Sequence, residues 1–519
     1  MVMEIGRRSM VAGLGASGLG ALLAAPGVAS AQAGADGTLT VGLLAGLQQI
    51  HPWNVGSIET AATNLLAYSN LVKQRADGSL EPDAAVALPT ISGDGLTYTF
   101  QLRPDVRFHS GDRMTADDVL YSYEGYLASA VRRQNLARFV KQVRKRDEMV
   151  FELELNRPFA GWLRLLGYEV AIVRKGTDFT NNGATGENLF RGSRTAGSGP
   201  YIPRNFQPDV SAEFEANPDY FGSPPPFKSI KLVRIPSDTT QLASLRAGAI
   251  DIASTCPPKD FAEMSKAPGF SGASRFSAGI FYSPLNRSKP PFDNVHLRRA
   301  FSCGIDRDYI CNEIYSGLVT PSALPAAPTE YWYDAALAKT LDYDPDRAKF
   351  HLREAGMPRG FSFEATIPVP SAYIEARDAA IAMQANLAEI GIRMTIRQTD
   401  FATMYANARA GDFTCFPHPS MQSSVEDYLI YNNYHRDGVQ AQWMGKIGPE
   451  YDALVEESFR YIEPEKKLPA LRKVVQTLVD VVPAVWVGRV NAFHLWRSDV
   501  KDFGPRYAYF QDLTRARRG

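Results

Sequence analysis

Between positions 361 and 397 the apolar residues change period twice, and the pattern leaves the backbone little choice of path. FSFEATI (361–367) alternates as a half-buried strand does, with successive side chains on opposite faces. Ala380, Met383, Leu387 and Ile390 then recur at spacings of three, four and three, which is one face of a helix. Gly391 follows where helices commonly end in a left-handed residue. Ile392, Met394 and Ile396 alternate again. Strand, helix and strand in this order make a β-α-β unit, which implies parallel strands and a right-handed crossover.

Other stretches extend the picture to mixed α/β in more than one lobe. TLTVGLL (38–44) reads as a half-buried strand. Tyr98, Phe100 and Leu102, and then Phe151, Leu153 and Leu155, alternate as antiparallel strands with one wet face. Between them Thr115-Ala116-Asp117-Asp118 resembles a capping box that opens a helix through about Ala128. Thr240 to Ala247 reads as a helix stopped by Gly248, and AIDIAS (249–254) follows as a short strand. Leu468, Leu471, Val475, Leu478 and Val482 mark a further amphipathic helix, and VPAVWVGRVNAFHL (482–495) returns as strand. The chain carries no internal repeat and no low-complexity tract.

The N-terminus has its own character. GLGASG (13–18) fits the dinucleotide fingerprint, but it follows no strand, the context in which such glycines cradle a pyrophosphate. It lies within a basic start, a weakly apolar stretch from Val11 to Ala25 and a small-residue ending, Ala29-Ser30-Ala31. Residues 1–31 read as an export signal cleaved after Ala31. Arg7-Arg8 resembles a twin-arginine leader, and a Sec signal stays open. No other run approaches the roughly 18 apolar residues of a membrane span. With no cysteine before Cys256, a lipoprotein anchor is not expected either. The expected product is soluble and exported.

Charge and motif exclude several function classes. Lysine and arginine number 56 against 56 aspartate and glutamate, so nothing suggests the strongly basic face that nucleic acid requires. An exported enzyme finds no support: there is no G-x-S-x-G, H-E-x-x-H, C-x-x-C or phosphate loop. The histidines (51, 109, 296, 351, 418, 435 and 494) show no helical ligand spacing. Cys303 and Cys311, if on one helix, would stand about 12 Å apart, too far for a bridge. For Cys256, Cys303, Cys311 and Cys415 a disulfide and buried free thiols both remain open.

Four segments resemble one family together: FHSGDRMTADDVLYSYEGY (108–126), AGSGPYIPRNFQPDVSAEFEANPDYFG (196–222), SDTTQLASLRAGAIDIAS (237–254) and KPPFDNVHLRRAFSCGIDRDYI (289–310). They are similar to blocks of the dipeptide/oligopeptide class of bacterial extracellular solute-binding proteins, family 5. YDPDRAKFHLREAGMP (343–358) and the β-α-β unit continue the likeness. The resemblance implies an α/β, two-lobed periplasmic-binding-protein fold (type II, three-domain variant) with a hinge and an interlobe ligand cleft. It implies a core domain of residues 37–70, 190–275 and 491–519, an inserted domain of 71–189 and a second lobe of 276–490. The function implied is the periplasmic substrate-binding component of an ABC importer, a monomer that binds a peptide or other small organic solute. It would deliver that solute to a permease in the inner membrane, without cofactor, metal or catalysis.

The same resemblance implies cleft positions: Gln48, His51 and Trp53 after the first strand, Tyr282, then His418, Ser420, Met421 and Gln422, and Trp443. In peptide-binding members a carboxylate meets the ligand's α-ammonium, because a buried ammonium without a partner costs several kcal/mol. Anchored on Tyr428-Leu429, the matching position is Met421. Either the solute has no free α-amine, or the group is met by water or another residue, or Glu426 or Asp427 takes the role. A haem- or metal-chelate-binding member of the same fold is the alternative, with His51 and His418 facing each other across the cleft.

Overall fold

The computed structural model describes residues 37–519 except 54–57, 76–78, 129–137, 180–191, 369–375, 422–425, 505–511 and positions 160, 178, 193, 439 and 462. The leader and Gln422 therefore lie outside the described residues.

The strand Thr38–Leu43 forms where Leu39, Val41 and Leu43 alternate inward, and it runs parallel to both Ser229–Arg234 and Ile252–Ala253. It belongs to a nine-stranded sheet, and two long antiparallel strands, Phe270–Pro284 and Ala484–Arg497, pass through that sheet. Toward one end Ile252 pairs with Trp496, and toward the other Gly279 pairs with Met421 of the strand His418–Met421. The ladder between the long strands breaks register between Phe276 and Gly279 and again between Phe281 and Tyr282. Such bulges bend a strand and sharpen its twist.

A separate four-stranded sheet holds Thr97–Gln101 antiparallel to Val150–Leu155, with Phe100 opposite Phe151. The face expected to be wet is partly covered. Glu152 is buried, because Arg144 and Arg146 of the neighbouring strand Val140–Asp147 both pair with it. Helix Ala116–Ala128 starts as expected: Thr115 N and Oγ1 donate to Asp118 Oδ2 at 2.8 and 2.9 Å.

The β-α-β unit is present, with Ser362–Pro368 parallel to Arg393–Thr399 around helix Ala376–Glu389. Ala380, Met383 and Leu387 are fully buried and Gly391 has φ 86°. Helix Asp238–Arg246 begins two residues before Thr240 because the Ser237 side chain accepts from Thr240 N. Of AIDIAS only Ile252–Ala253 joins a ladder. Helix Pro464–Val481 buries Leu471, Val475 and Leu478.

All four cysteines are free and buried. Cys303 and Cys311 do not share a helix, since Val295–Cys303 stops at Gly304. Burial pushes the Cys311 thiol up to about 12.

Candidate ligand-binding site

The residues expected around the cleft fall into two groups. The first follows the strand Thr38–Leu43. Gln48 is exposed and its amide donates to the Asp209 carboxylate. His51 uses both ring nitrogens: Nε2 donates to the Phe179 carbonyl at 3.0 Å, and Nδ1 accepts from Trp53 N at 3.1 Å. Burial lowers its pKa, so the ring is neutral. Trp53 is 1% exposed, and its Nε1 donates to the Ala171 carbonyl at 3.3 Å. Its ring lies against Gly125, where a Cβ would stand 2.2 Å from it, and meets Phe179 edge-on at 5.8 Å. Trp53 thus ties its loop to helix Ala116–Ala128.

The second group gathers on the edge strand His418–Met421. This strand pairs with Gly279–Tyr282, which sets Tyr282 opposite His418 with ring centroids 5.2 Å apart. Tyr282 Oη donates to Gln440 Oε1 at 2.9 Å. The Phe416 carbonyl can only accept, so His418 Nδ1 carries the hydrogen at 3.2 Å. His418 Nε2 then accepts from Tyr405 Oη at 3.3 Å, and Ser420 in turn bonds the Tyr405 phenol. Burial pulls the His418 pKa down to about 4, against the Phe416 carbonyl, and pushes the Tyr405 phenol up to about 12. Trp443, in the short helix Ala441–Met444, lies 5.2 Å from the Phe416 ring, 5.9 Å from Phe413 and 6.0 Å from Tyr405.

Tyr282, His418, Ser420 and Trp443 therefore share one aromatic cluster, while Gln48, His51 and Trp53 have another set of neighbours. The histidine pair needed for a shared metal is not set up: each imidazole has its own hydrogen-bond partners, His51 with Phe179 and Trp53, His418 with Phe416 and Tyr405. Met421 is described by its backbone alone, in register with Gly279.

Sequence reasoning missed Tyr405, Phe413, Phe416 and Gln440. Phe416, His418 and Ser420 alternate at period two, a signal that could have found Phe416. Tyr405 and Gln440 reach the cluster from helices and loops with no local sign.

Glu426, one alternative partner for an ammonium, is already committed. Its side chain is 8% exposed and lies 3.4 Å from Lys467 Nζ and 4.0 Å from Arg164, while Tyr331 Oη donates to it at 2.6 Å. Burial works to raise its pKa, but Lys467, the Tyr331 hydroxyl and Arg164 outweigh it and hold the carboxylate ionised.

The sheets and the long crossing strands are those of a two-lobed α/β binding protein. A dipeptide-binding protein from Pseudoalteromonas sp. SM9913, solved with Met-Leu, has the same fold at TM-score 0.80. It is 19% identical, covering 93% of this chain and 100% of its own. The chain belongs to the bacterial extracellular solute-binding proteins, family 5, whose model matches residues 79–440. It is similar to Heme-binding protein A of Haemophilus influenzae, 27% identical over 68% of each chain. It is likewise 27% identical to Di/tripeptide-binding protein 2 of Pseudomonas aeruginosa, over 84% of this chain and 87% of that one. Among the described residues no helix is long and apolar enough to cross a membrane, and no group of three or more metal-ligating side chains occurs.

Proposed function

We propose that this protein is the periplasmic substrate-binding component of an ABC importer, which takes up a small organic solute or peptide between two lobes and releases it unchanged to the permease. Residues 37–70, 190–275 and 491–519 make the core of the first lobe, 71–189 its inserted domain and 276–490 the second lobe. The hinge lies on the two long strands near 275 and 490. Support comes from the broken register at Phe276/Gly279, where the two strands that connect the halves are least regular. The signal is cleaved after Ala31 and the exported protein acts as a monomer. No catalytic step is assigned to it.

Solute bound between the lobes favours the closed form by its differential affinity, and a shift from 1:99 to 99:1 takes about 5.5 kcal/mol. Glu426 carries the reading of the solute. Of the two carboxylates considered for the anchor, Glu426 is neutralised by Lys467 and Arg164 and the Asp427 side chain lies outside the described residues, while position 421 holds methionine. The His418–Tyr405–Ser420 chain is neutral and already hydrogen-bonded within itself beside aromatic rings, an environment that suits an apolar solute body and supplies no charge to meet an ammonium. The solute accordingly has no free α-ammonium at that wall.

Mass spectrometry of material released from the purified protein tests this. Solutes with blocked or absent α-amines are expected, and recovery of peptides with free N-termini overturns the solute class. A second reading, a haem- or metal-chelate binder, is favoured by the similarity to Heme-binding protein A. A haem absorption band or stoichiometric metal in the same material would establish it, and a colourless, metal-free preparation that still closes on an organic solute excludes it.

A further inference from the structure

The stretch 138–164 meets the helices of 426–459 in a mixed aromatic and ionic contact. Phe139 and Phe159 stack at 4.5 Å; Phe139 lies 5.1 Å from Tyr431, and Phe159 lies 4.7 Å from Phe459. The Arg157 guanidinium sits between rings, 5.2 Å from the centroid of Phe139 and 5.4 Å from that of Tyr431. It donates to Tyr431 Oη at 2.8 Å and to Glu456 Oε1 at 2.9 Å, and lies 3.6 Å from Asp437. Arg164 adds its approach to Glu426 at 4.0 Å. Glu456 is steadied from its own side by Arg436 at 3.5 Å and His435 Nε2 at 3.3 Å. Arg157 differs: both of its hydrogen bonds reach across to the helices of 426–459.

We propose that these residues form a clasp between the inserted domain and the second lobe, which adds its own stabilisation to the closed form beside that of the solute. The inference rests on the two-lobe reading above. Its polarity is complementary: the arginines that cross come from 138, 157 and 164, Arg138 lying 5.8 Å from the Tyr431 ring centroid, and the carboxylates that receive Arg157 and Arg164 come from 426, 437 and 456. The strength is moderate. The Arg157 and Glu456 side chains keep 26% and 35% of their exposure, so water and salt screen the pair. Stacking on two rings adds a cation–π contribution, and the phenylalanines add buried apolar area. The clasp therefore biases the lobes toward closure without locking them.

Spin labels at Gly93→Cys and Lys349→Cys, exposed positions on the two sides of the contact, report the lobe separation by pulsed dipolar spectroscopy on the whole solute-free protein. The native thiols are buried and stay unlabelled. The parent is expected to show a measurable short-distance population beside the long one. Arg157→Ala should raise the open fraction relative to the closed about fivefold, as loss of about 1 kcal/mol does. Glu456→Gln should do nearly the same, and the double variant little more, because the two groups act through one contact. Arg157→Lys, which keeps charge and size without the planar fork, serves if the alanine variant unfolds, and should lie between parent and alanine. Distributions that coincide with the parent, or effects that simply add, overturn the clasp. If material released from the purified protein and added back shortens the parent's distance while Arg157→Ala matches the parent, only the clasp is lost. A distance that no solute or variant moves removes the two-lobe reading as well.

Discussion

His418 shows how much a side chain's surroundings decide. In the sequence it is one of seven scattered histidines; in the fold it is fully buried, neutral and hydrogen-bonded through both nitrogens. His494, buried against the Ser254 carbonyl, is also held near a pKa of about 4. The unfolded chain takes up these protons near the ordinary 6.5, so between roughly pH 6.5 and 4 the unfolded state binds more protons than the folded one. Stability therefore falls as pH drops through that window, by up to about 1.4 kcal/mol per pH unit for each histidine. Glu426, whose pKa is lowered from 4.5, acts below that value and does not share most of the window. Urea unfolding at a series of pH values measures the slope. His418→Gln should reduce it by about 1 kcal/mol per pH unit, and an unchanged slope would contradict the burial argument. The alternation of 416, 418 and 420 was legible, but the neutrality was not, because desolvation depends on what covers the ring.

At the level of elements, period and punctuation carried most of the information. The β-α-β unit, the Thr115 cap and the stop at Gly248 follow from neighbours within a few residues, where local geometry dominates. Glu152 departs from this: alternation assigned it to water, and two arginines of the adjacent strand cover it. Docking of elements is likewise non-local. Gly125 sits mid-helix, where glycine normally costs stability, and the reason is the Trp53 ring against it. Gly125→Ala improves helix propensity yet places a methyl inside the indole's space. A net loss of about 1–3 kcal/mol is expected in denaturant unfolding. A stabilised variant would show that the loop of Trp53 is free to move aside.

For the whole molecule, the expectation is a closing motion on two long strands. Small-angle scattering of the processed protein stripped of solute and then reloaded with the released material should show a smaller radius of gyration on loading. That change should be larger for Arg157→Ala than for the parent, because the variant starts more open. Curves that superimpose in both proteins would remove the motion. The sequence by itself determined which segments are strand or helix, where several of them stop, and, through six ordered blocks, the family. These are properties of neighbours, encoded in the order of side chains along a few turns or a few pleats. Only the tertiary structure decided that Arg157 reaches Glu456, 299 positions away, that Glu426 is already neutralised, and that Tyr405 completes the hydrogen-bonded chain on His418. Such pairings depend on where folding brings distant segments within a few ångströms, and on the water excluded when it does.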